Sequence, residues 1–334
     1  MSERKKKVLL TLSVLAGIAI LVVMTAAGFL IAGAAINGRY RFSHGVPGGA
    51  GDRIHFLNVG HSDAILLESA GRFALIDSGE DSDNPRGLED LQLEGYEQYV
   101  VNYLKQHARG EDGKVHLSFV VGTHAHSDHI GGFDTVINDP DIVVERAYLK
   151  RYDPERIDPY EREHWDNEEV YRQMLDACAN RGVEVIQTID DTPFSLGNLT
   201  ITLLNGEEAL PDATVGENEN SLGVLVEGQG VRTFLAGDIN DIDGDETRLK
   251  DVIGKVDLLK IGHHGYRESS SKPFLDALDP SVTIVTNRAA AVYFEARMRL
   301  LLSGSAVFGT VNREGIVVEL KEGKMLMYDR TDRR

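Results

Sequence analysis

The stretch Leu117-Ser118-Phe119-Val120-Val121-Gly122-Thr123-His124-Ala125-His126-Ser127-Asp128-His129-Ile130-Gly131-Gly132 decides the fold. Its first part, residues 117–121, is an apolar run of the kind that fills a strand covered on both faces. His124, His126, Asp128 and His129 follow directly, so a rigid strand end carries four side chains that bind a borderline divalent metal such as zinc. Two imidazoles two residues apart project from the loop toward one point. Asp128 and His129 begin the next helix and face a second point nearby, and two adjacent cations are what phosphoryl-transfer hydrolases use. Gly131 and Gly132 let the backbone turn away close to the metals.

Further along the chain, Ala236-Gly237-Asp238 ends another strand with a carboxylate suited to bridging two cations. A third strand end carries Lys260-Ile261-Gly262-His263-His264-Gly265. A lone histidine at a strand end is usually a satisfied polar residue, and a lone Gly-Asp pair is usually a turn. Three strand ends that deliver metal ligands in this order point instead to a metal centre. Cys178, the one cysteine, lies in the helically spaced set Val170, Tyr171, Met174, Leu175, Cys178 and reads as a buried, inert thiol. It excludes an intrachain disulfide, so the domain must be held by its own core.

Around these motifs short apolar runs at 54–59, 64–68 and 73–76 read as a strand meander, followed by a helix near 96–106. Helix and strand then alternate through 167–180, 183–187, 199–204, 223–226 and 233–236, and again from 257 to 302, before a closing strand pair at 316–320 and 324–328. Residues 150–166, dense in charge, tyrosine and proline, read as a surface insertion beside the domain.

The N-terminus has a different character. Residues 8–37 contain no charge and suffice to cross a hydrocarbon layer about 30 Å thick, with Arg4, Lys5, Lys6 and Lys7 immediately before them. A cleaved signal peptide has an apolar region of about 7–15 residues, and this run is about twice that, so it reads as an uncleaved anchor. Basic residues mark the cytoplasmic side. The expected organisation is a cytoplasmic tail (1–7), a transmembrane anchor (8–37), a linker (38–51) and one extracellular domain (52–334). The whole chain of 334 residues has 35 Lys+Arg and 53 Asp+Glu, a net charge of −18. From Asp52 onward 29 basic residues face 52 acidic ones, and that net charge of −23 disfavours a nucleic-acid partner.

These motifs resemble the metallo-β-lactamase superfamily, whose HxHxDH signature stands here as His124-Ala125-His126-Ser127-Asp128-His129. The segments Asn58-Val59-Gly60-His61-Ser62-Asp63-Ala64 and Leu75-Ile76-Asp77-Ser78-Gly79 resemble the subgroup that includes the soluble domain of competence DNA-uptake proteins. A further similarity, over about 62–285, is to the catalytic module of teichoic-acid phosphorylcholine esterases. The resemblance implies an α/β fold, a four-layered αβ/βα sandwich, with two zinc ions, or manganese in their place, at the strand ends. His124 and His126 would hold one ion, Asp128 and His129 the other, Asp238 would bridge, and His263 would complete the shell. Asp128 would also take part in catalysis, and His264 would contact the substrate phosphoryl group and act as electrophile or acid.

Asp63 and Asp77 match family acids and would orient ligating imidazoles, or equally cap tight turns. Many members add a histidine between the HxHxDH motif and the bridging Asp, yet the one histidine in that interval is His164. At the corresponding place stands Asn218-Glu219-Asn220-Ser221-Leu222, with Asn220 either near the first ion or holding a loop, and β-lactam and thioester hydrolysis are disfavoured. Tyr148, Tyr152 and Trp165 would form an aromatic box for a quaternary ammonium, or else pack the insertion onto the domain. The expected activity is hydrolysis of an envelope phosphoester, with a nuclease and a non-catalytic metal-stabilised domain as the competing readings.

Overall fold

A computed structural model of the protein describes residues 2–81, 94–206 and 216–329. The chain divides into two units, Met1–Arg41 and Phe42–Arg334. The first is one helix, Glu3–Asn37, long and apolar enough to cross a bilayer, with a mean hydropathy of 2.7 in its apolar stretch. Its start is capped by the Ser2 hydroxyl, which accepts from Lys5 N at 3.4 Å.

The second unit is a sandwich of two sheets between two layers of helices. Among the described residues, ten strands form the first sheet, ordered Phe42–His44, Lys324–Asp329, Ile316–Lys321, Asp52–Phe56, Ile65–Ser69, Arg72–Ile76, Val115–Gly122, Arg146–Leu149 and Glu184–Ile186, with Ile142–Val144 also paired on Val115–Gly122. Seven form the second, ordered Ala306–Gly309, Val282–Val285, Leu258–Lys260, Val231–Leu235, Gly223–Gly228, Leu199–Leu204 and Phe194–Leu196. Strand alternation sorts the side chains between layers. Leu66, Leu75 and Val120 face outward and pack with Val100, Leu104, Phe133, Ile137 and Met174 of the helices, among them Glu97–His107 and Asn167–Arg181. On the opposite face, Phe119 meets Phe194 of the second sheet edge to face, with centroids 5.2 Å apart. The outer face of the second sheet is closed by the helices Asp245–Ile253, Lys272–Leu278 and Phe294–Ser303 through Leu249, Phe274, Leu275 and Leu300.

As the apolar run at 117–121 implied, Val115–Gly122 is a central strand, parallel to both Arg72–Ile76 and Arg146–Leu149. Residues 38–51, expected as a linker, are partly built into the domain. Phe42–His44 pairs in parallel with Lys324–Asp329, because Phe42 has an apolar seat 4.9 Å from the Phe308 ring and lies 3.7 Å under the Arg313 guanidinium.

Candidate metal centre

The four-residue helix Ser127–Ile130 begins directly after His126, so Asp128 and His129 stand in its first turn one loop away from His124. The turn is tight for a steric reason. A Cβ on Gly131 would lie 2.4 Å from Ser127 O and 2.9 Å from Asp81 N, and one on Gly132 would lie 2.8 Å from Ser78 O. Asp238 follows the strand Val231–Leu235, and His263 and His264 follow Leu258–Lys260. Both of those histidines take positive φ, 48° each, a strained conformation for residues with a Cβ. The Ser269 hydroxyl helps hold this loop by donating to Gly262 O at 2.8 Å.

Ligand atoms converge. His124 Nε2 and His126 Nδ1 are 3.0 Å apart. His129 Nε2 lies 3.2 Å from Asp238 Oδ1 and 3.2 Å from His264 Nε2. His264 Nε2 in turn lies 3.3 Å from Asp128 Oδ2 and 3.5 Å from Asp238 Oδ1. Donor atoms of one tetrahedral zinc ion sit about 3.3 Å from each other, and these spacings fit a cation shared between the side chains. The group His124, His129, Asp238 and the group Asp128, His129, His264 each bring their ligand atoms within 4.8 Å of one another. Asp238 Oδ1 is buried, and the groups nearest it, His129 Nε2 at 3.2 Å and His264 Nε2 at 3.5 Å, are themselves ligand atoms, which suits an oxygen that shares a cation with them. Burial, with His129 and His126 alongside, holds His124 well below the ordinary imidazole value, which keeps it in the neutral, ligating form. Burial pushes Asp238 up, but His129, His264 and His263 outweigh it and hold the carboxyl well below the usual range.

The nitrogens that face away from these points are also engaged. Asp77 lies 2.8 Å from His129 Nδ1 and accepts from Thr123 N and Thr123 Oγ1, each at 2.8 Å. His124 Nδ1 faces the Thr123 hydroxyl at 3.0 Å and the Ser221 hydroxyl at 3.1 Å. His264 Nδ1 faces Thr286 Oγ1 at 3.1 Å and Asp63 Oδ1 at 3.4 Å. Such partners fix ring orientation and tautomer. The third acidic grouping, Asp63, Asp77 and His129, uses the Nδ1 face of His129, which is already taken by its hydrogen bond to Asp77.

With this geometry in place, the comparisons with known proteins identify the family. The profile described as "Beta-lactamase superfamily domain" matches residues 75–298, two thirds of the chain. The chain belongs to the β-lactamase superfamily. It is 25% identical over 170 residues to ComE operon protein 3 of Bacillus subtilis, covering 51% of this chain and 20% of that protein. It is 25% identical over 235 residues to Recombination protein 2 of Haemophilus influenzae, covering 70% of this chain and 24% of that protein. The chain thus spans about a quarter or less of the length of these relatives, and they agree with the competence-protein resemblance. A solved metallo-β-lactamase fold protein, YhfI from Bacillus subtilis, aligns with a TM-score of 0.49 at 12% identity, covering 80% of this chain and 99% of that one.

Within the β-lactamase superfamily fold, the second histidine of the pair, not the first, lies among the ligand atoms. His264 is buried and sits against Asp128, His129 and Asp238, whereas His263 is part exposed, with Nε2 3.9 Å from Asp238 Oδ2 and 3.4 Å from Asn218 Nδ2. The reason is the pair of left-handed residues, which turns the second imidazole inward and the first toward the mouth. Asp77 and Asp63 sit behind imidazoles rather than capping turns, and Asp63 also pairs with the buried ammonium of Lys260. Asn220 donates to Glu217 Oε2 at 3.1 Å, so it holds the Glu217 loop.

The aromatic box is not assembled. Tyr148 stacks on Phe194 at 5.4 Å between the sheets, and Tyr152 pairs with Tyr171 at 5.7 Å against the helical layer. Trp165 reaches the centre, its ring 4.7 Å from that of His126. The insertion at 150–166 therefore does not stand beside the domain. Its helix Pro159–His164 brings Glu161 to His126 Nε2 at 2.8 Å. Sequence reasoning missed Glu161, Glu217, Ser221, Thr286 and Lys260. Only Lys260 left a trace, as a charge inside an apolar strand run, where an ion partner is required.

Proposed function

We propose that this chain is a membrane-anchored, metal-dependent phosphoester hydrolase whose catalytic domain faces the outside of the cell and acts on envelope phosphoesters. The observation that carries the reading is the pair of overlapping ligand groups that share His129, His124 with His129 and Asp238 and Asp128 with His129 and His264, together with His126 Nδ1 3.0 Å from His124 Nε2. Two divalent cations held there, zinc or manganese, would supply a nucleophile from water at neutral pH and neutralise charge on the phosphoryl oxygens. The protein's own part is positional. Asp77, Thr123, Ser221 and Thr286 lock the imidazoles. Trp165 covers one face of His126, and His263, with Asn218 beside it, lines the mouth where a phosphoryl group would arrive. Histidine and amide donors at that place suit phosphoryl oxygens. The basic residues 4–7 before the apolar helix support the outward placement of the domain.

A second reading, a metal-dependent nuclease, is favoured by the similarity to ComE operon protein 3 and Recombination protein 2. The net charge of −23 from Asp52 onward weighs against it. One assay separates them. The full chain in detergent, loaded with zinc or manganese, is offered p-nitrophenylphosphorylcholine, bis-p-nitrophenyl phosphate and plasmid DNA. Release of p-nitrophenol with intact plasmid supports the envelope reading. Plasmid degradation supports the nuclease, and no hydrolysis of any of the three rejects both.

A further inference from the structure

The insertion at 150–166 reaches into the metal centre through one carboxylate. Glu161 accepts from His126 Nε2 at 2.8 Å, from Asn167 Nδ2 at 2.7 Å and from Glu217 N at 3.1 Å. Its side chain is only 14% exposed, and Asp158 fixes the helix that carries it by accepting from Tyr160 N and Glu161 N. Three donors from three separate segments leave the carboxylate little freedom. An ionised carboxylate only accepts, so a His126 ring that binds metal, which must be neutral to do so, carries its one proton on Nε2. The lone pair is then on Nδ1, the atom 3.0 Å from His124 Nε2.

The first metal point depends on this arrangement more than usual. The one histidine between His129 and Asp238 in sequence is His164, and it stacks on Tyr160 and faces Tyr160 O at 2.8 Å. His124 and His126 face that point, and the far nitrogen of His126 is held from the insertion.

We propose that Glu161 is a positioning residue for the metal centre: its carboxylate fixes His126 with the lone pair on Nδ1, and so sets the affinity of the His124–His126 point for its divalent ion. This rests on the reading of the centre as a binuclear site. The role of a merely structural tie is distinguished by Asn167, which bonds the same carboxylate without touching His126.

The test is chelator-competed zinc titration of the full chain, with cobalt as a spectroscopic reporter. Glu161→Ala should weaken one of two zinc equivalents by about 10- to 100-fold and alter the cobalt visible bands of that equivalent. Glu161→Gln, which keeps a neutral acceptor, should recover part of the affinity, and Asn167→Ala, which removes one of the three donors to the carboxylate and none of the contacts to His126, should lose less than Glu161→Ala. Wild-type affinity in Glu161→Ala overturns the proposal. So does an equal loss in Asn167→Ala, or an unchanged cobalt spectrum. If Glu161→Ala does not fold, the comparison of Glu161→Gln with Asn167→Ala decides in the same terms. A wild type that binds no divalent ion overturns the metal centre itself, a different result from any of these.

Discussion

Replacing Lys260 by methionine separates the electrostatics of the centre from its ligands. Lys260 is completely buried. Its ammonium pairs with Asp63, donates to Gly237 O at 2.8 Å and lies 3.7 Å from Asp238 Oδ1. Burial disfavours the ammonium form, but Asp63 and Asp238 outweigh it and raise the lysine above its ordinary value. Methionine has similar length and volume, yet it leaves the Asp63 carboxylate buried without its cation, and breaking a buried pair from one side costs about 3–5 kcal/mol. A unit of the size of Phe42–Arg334 has an unfolding entropy of about 0.6 kcal/mol/K. The melting temperature should therefore fall by about 5–8 °C. Calorimetry in excess chelator reads this without any contribution from metal loss. Adding Asp63→Asn removes the stranded charge, so the double variant should melt above Lys260→Met. A Lys260→Met protein that melts within about 1 °C of the wild type refutes the reasoning, as does a double variant that melts lower still.

Two further outcomes follow from other parts of the fold. Glu246 accepts from Ser270 N and from Ser271 N at 2.7 Å, and burial pushes its carboxyl up to about 7 from 4.5. The stability it contributes is complete below about pH 4.5 and is lost as pH rises through about 7. That lost contribution reaches about 3 kcal/mol. Urea unfolding of Glu246→Gln should lack this part of the pH dependence, and identical pH profiles for variant and wild type would exclude the assignment. At the centre, His264→Ala should lower bound metal per chain, measured by elemental analysis, whereas His263→Ala should keep its metal and lose turnover. The opposite pattern would restore His263 to the inner position.

The clustering of His124, His126, Asp128, His129 and Asp238 was legible because each lies within a few residues past the end of a strand whose apolar pattern is local. Strand period and turn residues lie within a few positions of the ligands, so no long-range contact has to be known. The long apolar helix was legible for the same reason, since its length and lack of charge are properties of one segment. The order of the histidine pair was not legible. It depends on φ at His263 and His264, which the loop around Ser269 holds in place.

The sequence by itself determined the alternation of strands and helices, the strand-end ligand set and the apolar N-terminal helix, and its family resemblance implied the four-layered αβ/βα sandwich. Periodicity and motif spacing are written along the chain and need no partner to be read. Only the tertiary structure decided that the insertion supplies Glu161 and Trp165 to His126, that Lys260 is buried between two aspartates, that Tyr148 belongs to the core, and that His264 faces inward. Those outcomes join residues from 22 to nearly 200 positions apart, or turn on the left-handed backbone of two successive residues. Hydrogen-bond satisfaction and desolvation act on the folded neighbourhood, and that neighbourhood exists only once both sheets have closed on each other.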